Sequence, residues 1–138
     1  MRRVKFYSRL AAQALTDESY IISIRCPEQD VKFVREHKAV LVLVFDDVED
    51  YVDNRYHMFD YVHADKILTF IDKIPDGETL IVHCEAGVSR SAAVAKFLQG
   101  IGWEIKKDRF CNGKLDMANG RVYGMLRTVH YSRSKNEA

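Results

Sequence analysis

The chain is short of the residues that would break or staple it. It has two prolines, and both Pro27 and Pro75 fall at natural element boundaries, so neither interrupts an element. It has three cysteines, Cys26, Cys84 and Cys111. Their number is odd and their spacing matches neither a zinc cluster nor a disulfide framework, so reduced thiols of a cytosolic protein are expected. Charge of one sign is also lacking. The net charge of +1 gives no electrostatic ground for binding nucleic acid or an anionic membrane surface. The Arg2–Arg3 pair is too small for a membrane claim. No long apolar run is present. The densest, Ala39 to Phe45, is far too short to span a bilayer. The start, MRRVKFYSRL, has no long apolar stretch after its basic residues and is unlike a secretory leader. A cytoplasmic location is expected.

What remains is ordinary globular material, with 47% apolar and 30% charged residues in 138, enough for one core. No repeat, low-complexity stretch or linker divides it. A single domain is expected over residues 1–132, followed by a frayed tail over 133–138. Val4–Tyr7 and the β-branched Ser19–Ile24 read as strands. Pro27, with Glu28 and Asp30 after it, suits the first turn of a helix carrying Val31, Phe33 and Val34. Ala39–Phe45 is continuously apolar, the pattern of a strand covered on both faces. The acidic stretch that follows reads as a loop. Val62, Ile67, Phe70, Ile71 and Ile74 recur at helical spacing and stop at Pro75-Asp76-Gly77. Thr79–His83 reads as a buried strand and Arg90–Leu98 as a helix ended by Gly100 and Gly102. A last helix is expected over Met117–His130. Strands alternating with helices predict an α/β fold with a mostly parallel central sheet flanked by helices. Ligands of such sheets bind beyond the carboxyl ends of the strands. The segment Cys84–Arg90 lies at one such end and Asp46–Asp47 at another.

The stretch VHCEAGVSRS, Val82 to Ser91, carries the chemistry. A cysteine follows a buried strand directly, and an arginine six residues on opens a helix. The backbone N–H groups of Glu85, Ala86, Gly87, Val88 and Ser89 can converge on one anion, and the helix N-terminus adds partial positive charge. Gly87 allows a backbone turn that a side chain hinders. Arg90 can grip two phosphate oxygens at once, which lysine cannot. The same field lowers the pKa of the Cys84 thiol, normally near roughly 8.5, and a thiolate beside bound phosphate can attack phosphorus. Ser91 can donate a hydrogen bond to that sulfur and make it a better leaving group. His83 is expected to hold the loop by hydrogen bonds rather than to act as a base. The chance of His, Cys, Gly, Arg and Ser falling together this way is on the order of one in ten thousand.

HCEAGVSRS resembles the His-Cys-x5-Arg-Ser/Thr signature of the protein tyrosine phosphatase superfamily. The flanking strand, loop and helix resemble that family's arrangement too. The chain looks like its compact dual-specificity type, closest to small microbial or phage-type phosphatases, with looser echoes in VFDDV and NGRVYGMLR. The resemblance implies a phosphatase-type loop between strand and helix, metal-free hydrolysis through a phosphocysteine intermediate, and no cofactor. It implies phosphorylated proteins as partners, carrying phosphotyrosine and also phosphoserine or phosphothreonine. Phosphate, sulfate and vanadate are the oxyanions expected to inhibit. It further implies an aspartic acid on a mobile loop upstream; some relatives pair a second cysteine with the nucleophile, but Cys26 and Cys111 read as ordinary buried thiols.

Protonating the leaving oxygen of a phosphate ester calls for a carboxylic acid. Asp47 is preferred, since it follows the strand ending at Phe45. In extended backbone Asp46 and Asp47 point in opposite directions. Asp53 and Asp46 stay open as alternatives, and Glu49 and Asp50 read as solvated. His37, His57, His63 and His130 share no metal-ligand spacing. Arg55, Tyr56 and His57 are possible pocket borders, and Trp103 reads as core. Three rival functions remain: the same chemistry on a phosphoinositide or an RNA 5′ phosphate, a phosphate-binding pseudophosphatase, and a sulfurtransferase-type loop. The absence of lysine inside the loop, and Glu85 within it, count against highly charged lipid head groups. Arg90-Ser91 opening the helix counts against the sulfurtransferase.

Overall fold

A computed structural model describes residues 1–137 of the chain. Five β-branched or apolar segments become strands: β1 (Arg3–Tyr7), β2 (Tyr20–Arg25), β3 (Ala39–Val44), β4 (Thr79–His83) and the two-residue β5 (Glu104–Ile105). All pair in parallel, in the order β3-β2-β4-β1-β5. Parallel neighbours need crossovers. Three of these carry helices: α1 (Arg9–Gln13) between β1 and β2, α2 (Tyr61–Ile71) between β3 and β4, and α3 (Arg90–Gly100) between β4 and β5. A fourth helix, α4 (Gly120–Glu137), closes the chain. The protein is a single-domain α/β fold with an all-parallel sheet flanked by helices.

Alternation along the strands sorts the two faces. Val4, Phe6, Ile22, Ile24, Leu43, Leu80 and Val82 are buried on one face, beneath α2 and α3, each of which packs against α4. The other face carries Lys5, Tyr7, Ser23, Ile81 and His83, and is covered by α1 and by the connection from β2 to β3. Burial of this central sheet on both sides is what allows β4 to be almost wholly apolar. Among the described residues, no helix is long and apolar enough to cross a membrane.

The structure corrects three expectations. The helix expected from Pro27 does not form. Glu28 sits at φ +66°, outside helical geometry, within a turn in which the Gln29 N–H donates to the Cys26 carbonyl at 3.1 Å. Polar groups of the segment find partners in α1 and the turn after it instead. Val34 N–H donates to the Gln13 carbonyl at 3.1 Å, Lys32 N–H to Gln13 Oε1 at 3.2 Å, and Arg35 to the Thr16 carbonyl at 2.8 Å. Backbone groups with partners elsewhere need no helix.

The apolar run in β3 is not covered on both faces. The strand lies at the sheet edge, and Val40, Val42 and Val44 are 38%, 45% and 42% exposed. The tail expected to fray from 133 is helical through Glu137. Arg133 anchors it to α2 by donating to the Asp65 carbonyl at 3.1 Å and to Thr69 Oγ1 at 3.0 Å, and by pairing with the Asp65 carboxylate. Ala138 lies outside the described residues. The short α1 and β5 were not anticipated.

Candidate active site

The turn from β4 into α3 brings the signature residues together. Cys84 is the first residue after the central strand and is 2% exposed. Its N–H donates to the Tyr7 carbonyl at 3.3 Å, which continues the β1–β4 pairing by one residue. Arg90 and Ser91 open α3, and Cys84 Sγ lies 3.1 Å from Ser91 Oγ. The turn between them packs on the β1–α1 junction, where the Arg9 N–H donates to the Glu85 carbonyl at 3.1 Å. Gly87 fits this place for two reasons. Its φ is +74°, and a Cβ there would lie 2.5 Å from Tyr7 C and Ser8 N, a contact that a side chain makes only by displacing backbone.

Arg90 is 4% exposed. Its Nη1 donates to the Phe45 carbonyl at 2.8 Å and to Cys26 Sγ at 3.3 Å. Its Nε is buried and has no hydrogen-bond partner among the described residues. A buried charged donor without an acceptor is costly, because it has lost its water and gained nothing. Held from behind at Nη1, the guanidinium has donor capacity to spare for an oxyanion beside Cys84.

Around this pair the charges are arranged to leave an anion room. The Glu85 carboxylate is paired with Arg9 at 2.8 Å and also accepts from Gln29 Nε2. The Arg9 hydrogen bond holds its carboxyl below the usual range. His83 is fully buried, with Nδ1 3.3 Å from the Cys84 carbonyl oxygen. Burial pushes its pKa down to about 4, so near neutral pH it is an uncharged hydrogen-bonding group.

The candidate acids separate clearly. Asp47 Oδ1 accepts from Ser89 Oγ at 2.8 Å and from Asn119 Nδ2 at 2.8 Å. Its carboxylate is therefore tied to the loop residue next to Arg90. Asp46 faces another way. Its Oδ2 accepts from the His57 N–H at 2.7 Å and staples its own loop; among the described residues it makes no hydrogen bond to the Cys84 turn. Asp53 is bound to Arg55 at 2.7 Å, and that hydrogen bonding holds its carboxyl below the usual range, the wrong direction for a proton donor. Glu49, read as solvated, accepts from the Gly120 N–H at 3.1 Å, at the positive end of α4. Arg55 serves Asp53 and leans over the Tyr56 ring. Cys111 is buried away in the Asp108–Cys111 bridge. All three thiols are free.

Asn119 opens the NGRVYGMLR segment, and the sequence alone assigns it no role in the site. It is 1% exposed, and it joins three parts of the site. Its N–H donates to the Ser89 carbonyl at 3.1 Å, its Nδ2 to Asp47, and its Oδ1 accepts from the Val122 N–H at 3.0 Å as a helix cap. An asparagine just before the Val122–Leu126 apolar run is a helix-start signal, and that signal was available. Arg9 and Gln29 carry no such mark.

No family model matches this chain, and no curated protein matches it.

Proposed function

We propose that the chain is a cysteine-dependent phosphomonoester hydrolase of the protein tyrosine phosphatase type, compact and dual-specificity-like, acting on phosphorylated protein. The observation that carries this reading is the buried Arg90 guanidinium, held at Nη1 and unpartnered at Nε, on the same turn as a cysteine hydrogen-bonded to Ser91. An oxyanion on that turn satisfies the arginine, accepts from the loop N–H groups and meets the helix N-terminus.

In this mechanism the Cys84 thiolate attacks phosphorus and the ester P–O bond breaks. Asp47, in its protonated form, gives its proton to the leaving oxygen. Water then attacks the thiophosphate, passes a proton to Asp47, and releases phosphate and the Cys84 sulfur. Ser91 donates to that sulfur as it leaves with its electron pair. Arg90 and the N–H groups of Glu85, Ala86, Gly87, Val88 and Ser89 hold the equatorial oxygens throughout. Pairing of the Glu85 carboxylate with Arg9, with a further hydrogen bond from Gln29, offsets the one charged side chain of the loop that would repel the substrate. The reaction is expected to proceed in the cytoplasm without a cofactor and to be inhibited by phosphate, sulfate and vanadate.

The test is hydrolysis of an aryl phosphate across pH 5 to 8 in the presence of chelator. Activity is expected with the wild-type chain and lost in Cys84→Ser. Turnover that survives that substitution sinks the mechanism. A panel of phosphopeptides, phosphoinositides and 5′-phosphorylated RNA then decides the substrate class.

A further inference from the structure

The side of the loop facing away from the substrate is wired to β2. Strand register sets Ser23 on β2 opposite His83 on β4, and alternation puts Arg25 on the same face as Ser23. Ser23 and His83 are both fully buried. Ser23 Oγ lies 2.6 Å from His83 Nε2, and Arg25 Nε lies 2.9 Å from Ser23 Oγ. His83 Nδ1 lies 3.3 Å from the Cys84 carbonyl oxygen.

The protons on this chain have one consistent placement. The Cys84 carbonyl can only accept, so Nδ1 of the neutral imidazole carries the hydrogen and Nε2 offers its lone pair. Ser23 must then donate to Nε2. The oxygen of Ser23 is free to accept, and Arg25, which can only donate, supplies that bond. Each donor is polarised by the one before it, starting from a full positive charge. The charged groups facing His83 are Arg25 from β2, Arg9 from α1 and Glu85 from the loop, and the edge of the Phe33 ring closes the site.

We propose that Arg25, Ser23 and His83 form a one-way hydrogen-bond relay that fixes the Cys84–Glu85 peptide plane, making Ser23 and Arg25 positioning residues for the phosphate cradle. In a trans peptide the N–H points opposite to the C=O. With the Cys84 carbonyl turned toward His83, the Glu85 N–H is turned to the opposite side, where the proposed oxyanion and the Cys84 sulfur need a donor. The relay therefore rests on the phosphatase reading for its purpose, though not for its geometry. Without Ser23, the His83 ring loses the donor that holds Nε2, and the peptide its fixed orientation.

Three measurements test this on the full chain. Nitrogen NMR of the wild type at pH 7 should show His83 as the neutral Nδ1–H tautomer. Ser23→Ala should lower kcat on an aryl phosphate about tenfold and slow alkylation of Cys84 by iodoacetate at pH 7 by a similar factor, with Ser23→Thr restoring both. Arg25→Gln, at a partly exposed position that tolerates change if Ser23→Ala fails to fold, should give the same effects at about threefold. An Nε2–H tautomer in the wild type overturns the relay. So does a folded Ser23→Ala chain with unchanged turnover and alkylation. If the wild type cleaves no phosphate ester while the tautomer and the slower alkylation appear as expected, the phosphatase reading falls and the relay stands. If phosphatase activity is present and both probes ignore Ser23, the relay falls alone.

Discussion

Alanine at position 87 puts a methyl group where the signature turn already touches the backbone between β1 and α1. The added Cβ lies 2.5 Å from Tyr7 C and Ser8 N, against ordinary contact beginning at 3.4 Å, so the two backbones must part by 0.9 Å. Neither neighbour is a flexible side-chain tip. The positive φ adds roughly 1–2 kcal/mol of strain for an L residue, and forced repacking adds roughly 1–3 kcal/mol. Gly77 provides the control. It has φ +88° but nothing within 4 Å of the added Cβ, so Gly77→Ala carries the strain alone. Urea unfolding should find Gly87→Ala less stable than Gly77→Ala by roughly 1–3 kcal/mol, both remaining folded within a typical 5–15 kcal/mol. Activity should separate them further. A displacement near 1 Å in a positioned site costs on the order of a hundredfold, so kcat/KM on an aryl phosphate should fall about that much in Gly87→Ala. It should stay near wild type in Gly77→Ala. If Gly87→Ala matches Gly77→Ala in stability and keeps its activity within threefold, the turn is not braced on β1 and the reasoning fails.

Asp47→Asn should slow cleavage of an alkyl-type phosphate by roughly 10²-fold or more and flatten the basic limb of its pH profile, while Asp46→Asn and Asp53→Asn stay within a few-fold; the opposite ranking reassigns the acid. Asn119→Ala should cost about 1 kcal/mol as a lost helix cap and lower turnover about tenfold by releasing Asp47, with vanadate affinity, measured by inhibition, nearly unchanged. His83 has a folded pKa of about 4 against an ordinary 6.5. The unfolded chain therefore takes up a proton that the native chain refuses, and stability is lost as pH falls from about 6.5 to about 4. The loss attributable to His83 is on the order of 2–3 kcal/mol. Urea midpoints between pH 7 and pH 4.5 should show a steeper fall for the wild type than for His83→Gln. The part common to both chains includes His37, which burial shifts the same way.

The features legible in the sequence share one property: each is decided by residues adjacent in the chain. Thr79–His83 is an apolar segment whose two faces are both buried, so its composition announces a central strand. The Cys84–Ser91 run needs its glycine, arginine and serine at fixed local offsets, so spacing alone places them. What escaped was decided by contacts between distant segments. Pro27, Glu28 and Asp30 have good helix-start chemistry, but Gln13 and Thr16 supply the partners for residues 32–35, and the chain follows them. The valines of β3 look like those of an interior strand, because composition reports that a strand is apolar and not where it sits in the sheet. Asp47, Asp46 and Asp53 share one polar loop. Only Ser89 and Asn119, lying 42 and 72 residues further on, distinguish them.

The placement of β3 at the rim has a consequence for how the chain loses function. Cys84 hangs from β4, which has a strand on each side, whereas Asp47 hangs from a strand with one neighbour. Local opening is cheapest where few buried contacts must break. The proposed proton donor is thus attached to an edge strand, which opens more readily than the inner β4 that carries the proposed nucleophile. On the proposed function, the molecule should pass under mild destabilisation through a state that still captures phosphate and still forms the phosphocysteine on substrates with good leaving groups. On poor leaving groups that same state would be silent.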